Sequence, residues 1–195
     1  MLRNYLPSET HPSFAAAVNK PEEVEKMVEL KKLNSEAVPA AIVKAKQYRL
    51  LNEPNEAESI CLDILDIIPD HQAALITLLL SLTDKFAENG LLPSFEQAQG
   101  IVDRLDDSHC KSYYSGIIYE RRGKHHLRQG GPGSGNVAYE WLHKAMEAFG
   151  EALESCDPDN QDTTLRWNSC ARIINSHPDV KPVDSDNVEM LLDSY

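Results

Sequence analysis

The sequence has no hydrophobic run long enough to cross a lipid bilayer. Its densest apolar stretch, Ala73 to Leu82, is interrupted by Thr77 and Ser81, whereas a membrane-spanning helix needs about 20 predominantly apolar residues. The stretch from Met1 to Pro7 also lacks the apolar core of a secretory signal. We therefore expect a cytoplasmic protein with no membrane segment.

Cysteine and positive charge are both scarce. The four cysteines, at positions 61, 110, 156 and 170, lack C-x-x-C spacing and are too few for a disulfide framework in a chain of 195 residues. We interpret them as reduced core residues, because free cysteine behaves as a small hydrophobe. The 19 Lys and Arg stand against 31 Asp and Glu, a net charge of −12. Such a surface as a whole does not suit nucleic acid or an anionic membrane.

Motifs of catalysis are missing as well. The sequence has no H-E-x-x-H motif and no nucleophile elbow. The glycines of Gly130 to Gly135 have P-loop spacing, but Asn136-Val137 follows them instead of Lys-Ser or Lys-Thr. Adjacent His125 and His126 point about 100° apart on a helix, and neither they nor His143 have Cys or carboxylate at ligand spacing. We predict no enzyme activity, no metal and no cofactor; a hydrolase or metal enzyme using His125 or His126 is the alternative.

Apolar residues recur at helical spacing through most of the chain, with proline and glycine between the periodic segments. No stretch shows the period-two alternation of a half-buried strand. The sequence therefore predicts an all-α fold. The predicted helices cover about 21–33, 35–51, 56–68, 71–88, 94–105, 112–120, 138–153 and 162–175.

Composition divides the chain into three parts. Residues 1–20 are predicted to form an N-terminal arm, residues 21–175 a helical domain, and residues 176–195 an acidic C-terminal tail with a net charge of −4. Within the tail, Ser185-Asp186 could cap a short helix that docks in a groove of this or another molecule. Its apolar face would hold Val188, Leu191 and Leu192. The alternative is a disordered solubilising tail.

A repeat organises the helical domain. Its first unit alternates small and large residues and ends at a helix-breaking proline, Pro69. The two segments of the unit are Lys44-Ala45-x-x-Tyr48 and Ala57-x-x-x-Cys61-x-x-Ile64. Small residues at 45 and 57 let two helix backbones approach closely. This pattern resembles the tetratricopeptide repeat (TPR).

Two imperfect copies of the unit follow. The second covers 71–106 with a turn seven residues longer, and the third pairs Gly116-x-x-Tyr119 with Ala145-x-x-x-Phe149 across a 17-residue insertion. Leu165-x-x-Asn168-Ser169 resembles the first helix of a fourth, capping unit. The resemblance covers about residues 36–175 and implies about three helix hairpins with capping helices at both ends. An irregular helical bundle is the alternative.

The resemblance also implies a concave groove that binds a peptide or helix, so we expect a non-enzymatic adaptor whose partner is a protein or peptide. The Lys, Asn and Arg set with which some members of the family bind a C-terminal carboxylate does not map onto this sequence. The groove is expected to be mainly apolar. Its residues by this alignment are Lys46, Arg49, Ile76, Leu80, Thr83, Tyr113, Ile117, Glu120 and Arg166. Lys46 and Arg49 could equally be a solvated face, and Tyr113 could pack between helices.

The insertion, residues 121–136, is basic and rich in glycine. Arg121, Arg122, Lys124 and Arg128 lie there with no acidic residue between them, in a chain that is otherwise strongly acidic. One hypothesis is a mobile basic loop at 121–135 that binds nucleic acid, a phosphate ligand or an acidic partner, and that modulates the adaptor's choice of partner. The alternative is a disordered loop whose charges neutralise neighbouring acidic helices.

Overall fold

The computed structural model describes residues 28–87, 91–157 and 159–183. The chain divides into two units, Met1–Lys31 and Lys32–Tyr195. Residues 28–34 are not helical, so the predicted helix over 21–33 is wrong for its last turn and a half. The predicted arm at 1–20, the start of that helix and the tail helix after Ser185 lie outside the described residues.

The regular structure of the described residues is entirely helical. They contain seven α-helices, no strand, and short 3-10 turns at Ser35–Ala37 and Lys85–Ala87. The all-α prediction is confirmed. The helices are α1 (Val38–Leu50), α2 (Pro54–Ile67), α3 (Gln72–Asp84), α4 (Leu91–Val102), α5 (Ser108–Gln129), α6 (Ser134–Glu154) and α7 (Asp162–Ser176).

Local chemistry explains where several helices begin. Proline occupies the first turn of α1 and of α2, where its missing N–H costs nothing. The carboxylate of Asp107 accepts a hydrogen bond of 2.8 Å from the backbone N–H of Cys110 and so caps α5. Asn52 between α1 and α2 has a φ of 62°, a left-handed conformation that asparagine tolerates better than most residues.

Helices that follow one another in the chain pack together, from α1 against α2 through to α6 against α7. In addition, α1 contacts α3, and α5 contacts α7. The small residues of the repeat pattern lie at these contacts: Ala45, Ala57 and Ala145 are fully buried. A Cβ added at Gly116 would overlap the Phe149 ring, so α5 and α6 approach closely because this residue has no side chain.

Buried side chains follow the helices as three adjoining clusters. The first cluster includes Val38 and Ile42 of α1 and Ile64 of α2. The second includes Leu75, Leu79, Phe86, Phe95 and Ile118. The third, which we call the C-terminal cluster, consists of Ile117, Leu142, Ala145, Phe149, Cys170 and Val180, with Leu127 among the side chains packed against it.

The segment predicted as a basic loop is mostly helix, which corrects the sequence interpretation. Helix α5 continues to Gln129, α6 begins at Ser134, and only the short turn between them is irregular. The glycine at position 123 is not a breaker: a Cβ there would lie 3.0 Å from Leu142 Cγ. The 17-residue insertion therefore lengthens both helices of one hairpin. The turn needs its glycines because Gly130, Gly131 and Gly133 have φ of 66°, 95° and 75°.

Residues 177–183, the first part of the predicted tail, pack on the helical unit. Val180 is 3% exposed and belongs to the C-terminal cluster. Asn136 Nδ2 donates a hydrogen bond of 2.9 Å to the carbonyl of Lys181. A Cβ at Gly135 would overlap the backbone of Asp179. The chain thus crosses the first turn of α6 in close contact.

None of the helices in the described part of the chain combines the length and the apolar character needed to span a membrane.

Candidate functional site: a basic cleft on α5

One face of α5 carries three cations that line a cleft. Arg121, Lys124 and Arg128 are spaced i, i+3 and i+7, which places them on the same side of a helix. The cleft has a volume of about 450 Å³, and we call it the basic cleft. It is lined by Asn52, Thr83, Asp84, Arg121, Lys124, Leu127, Arg128 and Arg166.

Asp84, at the end of α3, is shared by two guanidinium groups. Its Oδ2 accepts a hydrogen bond of 2.7 Å from Arg49 Nε of α1, and its Oδ1 accepts one from Arg121 of α5. Arg121 Nη1 also donates to Thr83 Oγ1 at 2.6 Å and to the carbonyl of Leu80 at 3.1 Å. Burial lowers the pKa of Arg121, while Asp84 opposes that shift. One carboxylate therefore orients cations from two other helices.

Glu120 is shared in the same way, although its side chain has no solvent exposure. It accepts hydrogen bonds from Lys124, one turn further along α5, and from Arg166 Nη1 of α7 at 3.2 Å. Burial lowers the pKa of Arg166, but Glu120 and then Tyr113 raise it more, and the net shift is upward. A buried carboxylate is stable only with such partners, so Glu120 holds Lys124 and Arg166 at the cleft.

The basic cleft keeps a surplus of positive charge after these pairs are formed. Its lining contains four cations and Asp84, a net charge of +3, and adding Arg49 and Glu120 leaves that value unchanged. Arg128 is exposed and forms no ion pair with the described residues. In a chain with a net charge of −12, this is a local reversal of sign.

Two sets of residues that the sequence suggested separately meet in this cleft. Thr83 and Arg166, predicted for the groove, line it beside Arg121, Lys124 and Arg128, predicted for the basic loop. Arg49 and Glu120, also predicted for the groove, hold the lining cations. The signal that joins the two sets is the helical spacing of 121, 124 and 128, which becomes visible only if α5 is continued beyond Glu120.

Other predicted groove residues do not line the basic cleft, whose lining is mainly charged. Ile117 is 2% exposed and lies in the C-terminal cluster. Ile76 and Leu80 are half-buried against the core, and Lys46 is exposed on α1 and does not line the cleft. The Tyr113 ring packs against the rings of its aromatic neighbours, which are His109, Tyr114 and Phe149.

Arg122 does not belong with the other three basic residues of the predicted loop. Its guanidinium lies 4.0 Å from the centre of the Phe95 ring and 3.9 Å from that of Trp141, a cation–π arrangement. Its Nε is buried and has no hydrogen-bond partner. Arg122 is thus a packing residue between α4, α5 and α6, which corrects the expectation of a four-residue basic surface.

The histidines and cysteines form no second site in the described part of the chain. His125 is 5% exposed, and burial lowers the pKa of both His125 and His126. No group of three or more His, Cys, Asp or Glu among the described residues could hold a metal ion. The cysteines are free, and burial raises the pKa of Cys61 and of Cys170 to about 12, so their thiols are poor nucleophiles at neutral pH.

Comparison of the chain with protein-family models, with curated proteins and with solved structures found no match.

Proposed function

We propose that this protein is a non-enzymatic binding protein of tetratricopeptide-like architecture whose basic cleft holds an acidic segment of a partner protein. The observation that carries the proposal is the arrangement of charge in the cleft. Two carboxylates, Asp84 and Glu120, each hold two cations in place, and the cleft lining keeps a net charge of +3 in a chain that is acidic as a whole. Carboxylate side chains of a partner supply the complementary charge.

The order of helix contacts supports the architecture. In stacked helix hairpins, the first helix of each pair lies beside the first helix of the next. The contacts of α1 with α3 and of α5 with α7 have this order. The lining residues that belong to α-helices come from α3, α5 and α7, and Arg49 comes from α1. In the proposed architecture these four helices form the concave face, so the cleft opens where a repeat protein of this kind binds its peptide.

Nucleic acid or a phosphate ligand is the second candidate, and the geometry favours it less. Arg122 is engaged with Phe95 and Trp141, while Arg121 is paired with Asp84. Lys124 and Arg128 are left as the more accessible cations of α5. A nucleic-acid site needs a row of cations to neutralise successive phosphates, and this cleft is short.

The test is fluorescence anisotropy with the full chain and a labelled peptide of mixed Asp and Glu. We expect binding that weakens with salt, because surface charges are screened beyond about 10 Å at 0.1 M salt. Arg128→Glu should weaken binding roughly 5- to 10-fold at low salt by reversing a charge at the rim. Arg172→Glu, the same reversal at an exposed site of α7 outside the cleft, should change it less than about twofold.

The corresponding Asn and Gln peptide and a single-stranded oligonucleotide serve as comparison ligands. Equal binding of the Asp/Glu and Asn/Gln peptides would contradict an acidic ligand. Tighter binding of the oligonucleotide, also reduced by Arg128→Glu, would favour the second candidate instead. An acidic peptide that binds equally well to both charge-reversal variants would place its site outside the basic cleft.

A further inference from the structure

The last 12 residues of the sequence are opposite in charge to the basic cleft. Residues 184–195 contain four acids and no Lys or Arg, a net charge of −4. The acids are Asp184, Asp186, Glu189 and Asp193. The cleft lining has a net charge of +3. The segment therefore has the chemistry that the proposed function assigns to a partner.

The described chain brings this segment to the end of α5 that bears the cleft. Val180 is buried in the C-terminal cluster, and Leu127 packs against that cluster and also lines the cleft. Asn136 Nδ2 donates hydrogen bonds to the carbonyls of Lys181 and Pro182. Asn136 lies in the first turn of α6, across a four-residue turn from the last turn of α5, which contains Arg128. The described part of the chain thus ends at the first turn of α6, close to the turn that joins it to the last turn of α5.

The segment is long enough to reach across the cleft. Twelve residues span at most about 40 Å when extended and about 18 Å as a helix. Along α5, Arg128 and Arg121 are seven residues apart, which is about 10 Å. The extended length of residues 184–195 is therefore about four times the separation of Arg121 and Arg128 along α5.

We propose that residues 184–195 bind in the basic cleft and compete there with the acidic segment of a partner. This inference rests on the proposed function of the cleft. Because the segment is attached to the domain, its effective concentration at the cleft is high even when each contact is weak. A partner must then displace the segment. The partner's apparent affinity equals its intrinsic affinity multiplied by the fraction of molecules in which the cleft is free.

The test compares three full-length chains. The tail variant carries Asp184→Asn, Asp186→Asn, Glu189→Gln and Asp193→Asn. The matched control removes the same number of negative charges at exposed positions outside the cleft, by Asp66→Asn, Glu96→Gln, Asp103→Asn and Glu140→Gln. This control is needed because a less negative protein attracts an acidic peptide more strongly wherever the charges are removed.

Binding of the labelled Asp and Glu peptide is the first measurement. We expect the tail variant to bind about 3- to 10-fold more tightly than the wild type at low salt, and the matched control to differ from the wild type less than about twofold. An equal gain for the tail variant and the control would overturn the proposal, because the gain would then reflect net charge alone.

The NMR signals of the arginine Nε–H groups are the second measurement, made without peptide. We expect the Arg128 and Arg166 signals to shift in the tail variant, to stay in place in the matched control, and to be unchanged on dilution of the wild type. Signals that do not shift in a protein that binds the peptide would overturn the tail contact and leave the proposed function standing. Shifted signals in a protein that binds no acidic peptide would support the tail contact and overturn the proposed function.

Discussion

At the scale of single residues, Glu120 positions two of the cations that line the basic cleft, Lys124 and Arg166. It is completely buried, yet it carries a charge that two cations from different helices neutralise. Those cations are more than a third exposed at their side chains. Glu120 therefore contributes to stability through buried hydrogen bonds and to the cleft by fixing where Lys124 and Arg166 lie.

Glu120→Gln should lower the free energy of unfolding by about 2–3 kcal/mol. Breaking a buried pair by removing one partner is strongly destabilising, and the exposure of both cations to water reduces the cost here. Urea unfolding at neutral pH measures the difference. The control is Glu147→Gln in α6, where the carboxylate is exposed and, among the described residues, forms an ion pair with His143 alone; we expect it to leave the midpoint nearly unchanged. Equal midpoints for the two variants would argue against a structural role for the Glu120 charge.

At the scale of helices, the hairpin of α5 and α6 depends on close approach at glycine. Gly116 faces the Phe149 ring, and Gly123 faces Leu142. Gly150, by contrast, has nothing within 4 Å of an added Cβ. Glycine is therefore required for close helix packing at positions 116 and 123, whereas position 150 has room for a larger side chain.

Gly116→Ala and Gly150→Ala should change stability in opposite directions. The first should destabilise the protein by about 1–3 kcal/mol, since the added methyl group overlaps a buried ring. The second should stabilise it by about 0.5–1 kcal/mol, because alanine has a higher helix propensity than glycine and its methyl group meets no neighbour at this position. Urea unfolding of the two variants beside the wild type is the measurement. A destabilising Gly150→Ala, or a harmless Gly116→Ala, would contradict the described packing of this hairpin.

The length of these helices is what the sequence predicted least well. Helical periodicity predicted a helical segment within every α-helix among the described residues, and small residues such as Ala45, Ala57 and Gly116 identified where helices meet. The end of α5 was misplaced because Gly123 and a run of basic residues are typical of a loop. Tertiary contacts keep that run helical: Arg122 packs against the Trp141 ring, and Gly123 fits against Leu142. The cleft was missed with it, since its cations align only on a continuous helix.

At the scale of the whole molecule, stability should fall as the solution becomes mildly acidic. Burial lowers the pKa of His125 and His126 in the folded protein below the value of about 6.5 that histidine has in an unfolded chain. Below that pH the unfolded state binds protons that the folded state does not. The contribution of these two histidines to the free energy of unfolding is therefore fully present above about pH 6.5. It is lost as the pH falls toward the pKa values of His125 and His126 in the folded protein.

Urea midpoints measured at about pH 7.5 and 5.5 check this expectation. We expect a lower midpoint at the acidic pH in the wild type and a smaller difference in the double variant His125→Gln with His126→Gln. His177→Gln, at an exposed histidine near the end of α7, should retain the full difference. A wild-type midpoint that stays constant between the two pH values would mean that these imidazoles are protonated without cost in the folded state.

The position of Asp84 has a consequence for how the molecule unfolds. In an array of helix pairs that touch only their neighbours, distant units can open independently. Here one carboxylate on α3 bonds to Arg49 on α1 and to Arg121 on α5, so it links helices that come before and after α3 in the chain. Fraying that starts at α1 must break the Arg49 bond to the carboxylate that also holds Arg121, so loss of order at α1 also perturbs the contact that anchors α5.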